Sequence, residues 1–197
     1  MNLPNKLTLF RIVLVPVLAF VWLFPYEEAG VYFGSFTVGN VTLPYLNLII
    51  IGIFALASFT DYLDGHLARK NNMVTTFGKF ADPIADKLLV NMMLIILAYK
   101  HMIPLLCCIM MILRDIVVDG CRTIAAQKGV VVSAGMLGKL KTVLQMFTII
   151  IVLLNNLPFE MWYISVDEIL IWFTMFISLA GGYSYFMQVR DYIFESM

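Results

Sequence analysis

Charge is scarce in this chain. Only 13% of its 197 residues are Asp, Glu, Lys or Arg, against about 25% in an average soluble domain. The 13 basic and 13 acidic residues cancel, so there is no global basic bias toward nucleic acid, and no nucleic-acid partner is expected. Cysteine is nearly missing: Cys107, Cys108 and Cys121 are odd in number and lie in apolar segments. Neighbouring cysteines do not bridge sensibly and no metal-ligand spacing appears, so the three read as small buried hydrophobes. His66 and His101 are lone histidines, and His66 reads as a helix-surface residue. No low-complexity tract and no convincing repeat divides the chain, so residues 1–197 are expected to form one membrane domain.

Apolar residues fill the space that charge leaves. They make up 61% of the chain, and the mean hydropathy is +0.90. Several runs approach the roughly 20 residues that cross a bilayer. The expected fold is all-α and polytopic, with six transmembrane helices. They run near Leu9–Pro25, Pro44–Leu67, Phe77–Tyr99, Met102–Ala125, Met136–Asn155 and Tyr163–Val189. Met1 to Lys6 is expected to lie along the interface as a short helix. Breakers separate the spans at Gly34 to Pro44, Asn71-Asn72, Gly129 to Gly135, and Asn155 to Pro158. No A-x-A-like site ends the first run and more spans follow, so it is expected to remain as a span.

Lys and Arg predict the orientation. Lys6 and Arg11 flank the start. Arg69, Lys70, Lys79 and Lys87 surround the second turn, and Arg114, Arg122, Lys128, Lys139 and Lys141 the fourth. Only Lys100 falls on the other side, where Glu27, Glu28 and Glu160 stand. Both termini are therefore expected in the cytoplasm, in a multi-pass protein of the cell membrane.

Four carboxylates break the apolar pattern. The chain reads DYLDGHLARKNNMVTTFGKFADPIAD from Asp61, a D-x2-D-G-x2-A-R-x8-G-x3-D-x3-D arrangement with acids at Asp61, Asp64, Asp82 and Asp86. Carboxylates in apolar helices mark a functional site by default. Four together repel unless a cation sits between them. At about 100° per residue, Asp61, Asp64, Gly65 and Ala68 share one helix face with Arg69 at its edge. Gly78, Asp82 and Asp86 form a second stripe at i, i+4 and i+8. A turn near residues 70–77 lets the stripes face each other. Carboxylates without His or Cys suit hard ions, so two divalent ions, Mg²⁺ or Mn²⁺, are expected. Gly65 and Ala68 leave room for a ligand. Arg69 offers a guanidinium fork to phosphate oxygens. Gly78 permits close packing or ligand entry. The bland alternative is a set of intramembrane ion pairs in which Arg69 and Lys79 neutralise some acids.

This pattern, with every fixed position filled, resembles that of the CDP-alcohol phosphotransferase family, whose six-span architecture matches the whole chain. The resemblance implies transfer of a phosphatidyl group from a CDP-linked lipid to an alcohol, with release of CMP. It implies that Asp61, Asp64 and Asp82 hold the metals. Asp86 would take the proton from the attacking hydroxyl and counts with the metal set. Gly65, Ala68 and Arg69 would line the cytidine diphosphate site. A homodimer is likewise implied.

Two further stretches bear on the acceptor alcohol. Asn2 to Arg11, with Pro4-Asn5, Leu7-Thr8 and Arg11, is similar to the opening of the bacterial branch that makes phosphatidylglycerophosphate. So is Arg114-Asp115 to Arg122, followed by Gly138-Lys139-Leu140-Lys141-Thr142 and Gln145. Arg114, Arg122, Lys139 and Lys141 are cations at the cytoplasmic ends of two helices and suit a phosphorylated acceptor such as sn-glycerol 3-phosphate. The alternative is anchoring to acidic lipid headgroups, the reading favoured for Lys128. Asp115 is open to simple pairing with a neighbouring cation. Asn5, Thr8 and Arg11 either position CDP-diacylglycerol or cap and anchor the first helix. Gly181-Gly182 reads as close helix packing. Rival functions are another acceptor within the family (inositol phosphate, serine or a lipid alcohol) or a divalent-cation transporter. Against the transporter, the acids cluster at one face instead of along a pathway.

Overall fold

The computed structural model describes residues 2–70, 76–129, 135–157 and 159–194. The side chains of residues 3, 4, 61–70, 76, 79, 80, 82, 83, 86, 193 and 194 lie outside that description. The described residues form α1 (Leu3–Leu23), a hairpin of β1 (Ser35–Val38) and β2 (Val41–Pro44), α2 (Tyr45–Lys70), α3 (Thr76–Tyr99), α4 (Leu105–Gln127), α5 (Met136–Leu153), a 3-10 turn at Phe159–Trp162, and α6 (Val166–Phe194).

Two expectations are corrected here. Leu3 to Lys6 is the first turn of α1, continuous with it, and not a separate interfacial element. Proline in that turn costs little, because the first N–H groups of a helix have no intrahelical partner. The fold is also not purely helical. Phe36 pairs with Leu43 and Val38 with Val41, around a two-residue loop at Gly39-Asn40. Gly39 takes φ +61°, the left-handed conformation that a tight hairpin turn demands. The segment alternates, with Val41 and Leu43 buried while Thr42 is exposed.

The Asn155-Asn156 breaker is an ordered junction. Both residues have positive φ. Asn155 Nδ2 donates to the Thr42 carbonyl at 2.8 Å. Asn156 Nδ2 donates to Glu160 Oε2 at 2.9 Å and to the Ile164 carbonyl at 2.7 Å. Buried Asn47 donates to the Leu153 carbonyl at 3.0 Å. The start of α2, the hairpin and the end of α5 therefore meet at one end of the bundle.

Helix α1 packs on α2 and α3, and α6 packs on α4 and α5. One large apolar core, including Leu18, Trp22, Ile50, Phe54, Met93, Leu97, Met111 and Ile149, joins them. A smaller cluster of Val118, Cys121, Ala125, Tyr185 and Val189 lies between α4 and α6. All three cysteines are buried and free, as their apolar setting implied. Lys100 Nζ lies 5.9 Å from the centre of the Trp22 ring. The C-terminal ends of α1 and α3 therefore coincide, and two helices that also pack along their length must run parallel.

The outer surface is apolar. Phe20, Phe59, Ile116, Val143, Ile169 and Phe176 are each more than half exposed, far more greasy surface than a soluble monomer presents. Among the described residues, three helical segments are long and apolar enough to cross a bilayer: Asn5–Leu23, Met136–Leu153 and Val166–Tyr192. Among the described residues, helices α2 and α3 contribute shorter apolar stretches, Tyr45–Thr60 and Lys87–Tyr99. Helix α4 carries Arg114, Asp115, Asp119 and Arg122. Together these place the chain among membrane proteins.

Candidate active site

The acidic motif occupies the end of α2 and the beginning of α3, with residues 71–75 between them. The backbone is helical through 61–70 and 76–86. The i, i+3, i+4 register of Asp61, Asp64 and Gly65, and the i, i+4 register of Asp82 and Asp86, therefore hold along their helices. The side chains of Asp61, Asp64, Gly65, His66, Ala68, Arg69, Asp82 and Asp86 lie outside the described set. Among the described residues no three His, Cys, Asp or Glu side chains gather as a metal site. Gly78 is buried, as are Ala81 and Ala85. This strip of small residues at i, i+3 and i+7 is what close helix packing requires.

On α1, Asn5, Thr8 and Arg11 are all buried, and Arg11 is 0% exposed. None of them caps the helix: the N-cap is Asn2, without a side-chain cap bond. Both helices rise equally per residue. Counting back from Trp22 beside Lys100, Thr8 stands about level with Asp86 and Asn5 with Pro83. The beginning of α1 thus runs beside the acidic half of α3.

The predicted cations divide three to one. Arg114, Arg122 and Lys141 line one cavity of about 260 Å³ between α4, α5 and α6. Lys139 does not line it and is exposed. Two residues before Lys141, it points about 200° away around the helix. Gln145 is buried, its Nε2 set 3.7 Å from Met111 Sδ.

Within the cavity, Asp115 joins two cations. Lys141 Nζ donates to Asp115 Oδ1 at 2.8 Å and to Oδ2 at 2.7 Å. Arg114 Nη1 donates to Oδ1 at 2.9 Å, and Arg114 Nε to the Ser178 carbonyl on α6 at 3.0 Å. The pairing open to Asp115 in the sequence is thus made. Gly181-Gly182 does serve close packing, with Arg114 against both glycines and Leu137 also against Gly181. A methyl group at Gly182 would lie 2.7 Å from Arg114 Cγ, and one at Gly181 3.3 Å from Arg114 Nη2. Arg122 lies over the Tyr185 ring, 5.7 Å from its centre, close enough for a cation–π contact.

Sequence reasoning missed several members of this cavity. Lys87 of α3 and Asp119 of α4 form an ion pair, and both line the cavity with Ser184, Tyr185 and Gln188. Asp119 follows Asp115 by four residues, a helical repeat that was visible in the sequence. The α6 residues carry no such signal. Lys87, Asp119 and Arg122 also line the edge of a groove of about 1120 Å³ between α1, α3 and α4, whose walls are mainly apolar. Lys87 directly follows Asp86, so the basic cavity borders the acidic motif through α3.

The fold is a greasy helical bundle of the membrane-protein class, with a partly buried cationic cavity adjoining a helix pair rich in carboxylates. The chain matches the model of CDP-alcohol phosphatidyltransferases over residues 1–180, and it belongs to that family. It is 42% identical over 185 residues to the CDP-diacylglycerol–glycerol-3-phosphate 3-phosphatidyltransferase of Bacillus subtilis, covering 94% of this chain and 93% of that one. It is 38% identical over 192 residues to the protein of that name from Rickettsia typhi, covering 97% and 98%.

Proposed function

We propose that this chain transfers the phosphatidyl group of CDP-diacylglycerol to sn-glycerol 3-phosphate, giving phosphatidylglycerophosphate and CMP. The observation that carries the acceptor is the cavity holding Arg114, Arg122 and Lys141 beside the acidic helix of the family motif. A phosphate dianion with free hydroxyls matches such a cluster in charge and in hydrogen-bonding capacity. The printed names of the relatives agree with this acceptor.

The donor set fits hard divalent ions: carboxylates alone, at helical repeats on two consecutive helices, with neither His nor Cys among them. Asp61, Asp64, Asp82 and Asp86 would hold two such ions, Mg²⁺ or Mn²⁺. When bound, these supply neutralisation of the diphosphate charge and polarisation of its oxygens. Gly65 and Ala68 leave room for the cytidine diphosphate, and Arg69 pairs with its phosphate oxygens. Gly78 sets the packing distance of α3. Asn5 and Thr8 border the CDP-diacylglycerol site from α1.

The 1-hydroxyl oxygen of glycerol 3-phosphate attacks the lipid-side phosphorus in line. The bond from that phosphorus to the bridging oxygen breaks, CMP leaves, and Asp86 takes the hydroxyl proton. Arg114, Arg122 and Lys141 hold the acceptor phosphate so that its far hydroxyl reaches the diphosphate. One substrate is a lipid and the other water-soluble, so the site belongs at the membrane surface. The Lys and Arg distribution puts that surface, and both termini, on the cytoplasmic side of six spans. The whole chain acts as one domain, in a homodimer.

Incubating the purified protein with CDP-diacylglycerol and Mg²⁺ plus glycerol 3-phosphate, inositol phosphate, serine or glycerol, and identifying the lipid formed, tests the assignment. Phosphatidylglycerophosphate is expected; a different phospholipid would redirect the acceptor within the family. Gly65→Leu and Ala68→Leu should each weaken cytidine-nucleotide binding, since a branched side chain fills space on the Asp61 face. Unchanged affinity in both variants would reassign these residues to helix packing.

A further inference from the structure

Two carboxylates line the basic cavity. Asp119 is partly exposed and pairs with Lys87. Asp115 is different: its side chain is 5% exposed, and it accepts hydrogen bonds from cations on two helices. An anion at the centre of an anion receptor weakens the field that a phosphate would feel, so its placement calls for a reason.

Geometry supplies one. Arg114 and Lys141 come from α4 and α5, and both are largely withdrawn from water. Two neighbouring cations in that setting repel each other and lose hydration. The Asp115 carboxylate offsets both costs, and its two oxygens fix where the ammonium and guanidinium groups stand. Helix α6 completes the clamp: the Ser178 carbonyl holds Arg114 Nε, and Gly182 leaves the space that Arg114 Cγ fills. Nη2 of the same guanidinium is turned toward Gly181, which lines the cavity, whereas Gly182 does not.

We infer that Asp115 is a positioning residue for the acceptor phosphate: it binds Arg114 and Lys141 into one rigid two-cation receptor, and Gly182 makes room for the arginine pose. This rests on the reading that the acceptor is glycerol 3-phosphate. Charge alone predicts the opposite outcome for a neutral replacement. Asp115→Asn leaves the cavity one charge more positive, so a purely electrostatic role would lower the KM for the phosphate. A positioning role raises it, because the two cations part.

The test is steady-state kinetics of folded variants in detergent or vesicles, varying glycerol 3-phosphate and CDP-diacylglycerol separately. For Asp115→Asn the KM for glycerol 3-phosphate should rise about tenfold or more, the scale of one charge-assisted hydrogen bond. The KM for CDP-diacylglycerol should stay put, and Asp115→Glu should recover most of the loss. Gly182→Ala, which changes no charge, should raise the same KM. The double variant should show less than the product of the two effects, since both act through Arg114. An unchanged or lowered KM in folded Asp115→Asn overturns the inference. If that variant does not fold, Gly182→Ala decides alone, a wild-type KM overturning the inference and a raised one upholding it. A wild type that fails to saturate with glycerol 3-phosphate rejects the acceptor reading beneath it. Saturation in the wild type with indifferent variants rejects only the role of Asp115.

Discussion

Asp61→Asn, Asp64→Asn and Asp82→Asn are each expected to abolish phosphatidyl transfer in a protein that still inserts and folds. The amide keeps the size of the carboxylate and removes its charge. If these acids hold divalent ions against a diphosphate, each loss takes several kcal/mol from the transition state. At about 1.4 kcal/mol per tenfold, that is on the order of a thousandfold in rate. Initial rates at saturating Mg²⁺, with size-exclusion profiles to verify folding, give the answer. Substantial residual turnover in all three would sink the metal assignment. Asp86→Asn separates a proton acceptor from a plain ligand. A base lost from the chemical step lowers kcat more than it weakens CDP-diacylglycerol binding, and equal loss of both would make Asp86 a metal ligand only.

The helical spacing of the same four acids, though not the site they would form, could be read from the residues. A carboxylate in an apolar helix has few innocent explanations, and regular spacing transmits its position through the backbone. The six helices follow from apolar run length in the same way. What the sequence hid came from local chemistry and from three-dimensional neighbours. Ser35 to Pro44 alternates in polarity around Gly39-Asn40, a hairpin pattern that also looks like a mere separator between spans. Asn155 and Asn156 mark a break, yet only the fold brings Thr42, Glu160 and Ile164 to them. Gly181-Gly182 signals close packing without saying that an arginine is among its partners. Cations that form one group along the chain divide once wound into helices, because neighbours two residues apart on α5 face nearly opposite ways. Helix α4 looks like an apolar span until its four charges are seen to face the cavity together.

That division yields a quantitative expectation for the acceptor. Arg114→Ala, Arg122→Ala and Lys141→Ala should each raise the KM for sn-glycerol 3-phosphate, while Lys139→Ala should leave it near the wild-type value. Losing one charge-assisted bond to a phosphate costs about 1.5–3 kcal/mol, roughly a tenfold to hundredfold change. If the nucleotide lipid lies against the acidic motif on α2 and α3, as proposed, the KM for CDP-diacylglycerol should move much less. Unphosphorylated glycerol should be a poor acceptor for the wild type if those cations receive the acceptor phosphate, since glycerol has none to offer. If the three cations only meet anionic lipid headgroups, their removal would leave both KM values alone and lower membrane stability instead. Lys139, already exposed and turned from the cavity, is the internal control. A rise for Lys139→Ala equal to the others would mean that surface charge, not the cavity, gathers the acceptor. Such charge steering is screened within about 10 Å at 0.1 M salt, so raising the ionic strength should erase a surface effect and spare a cavity one.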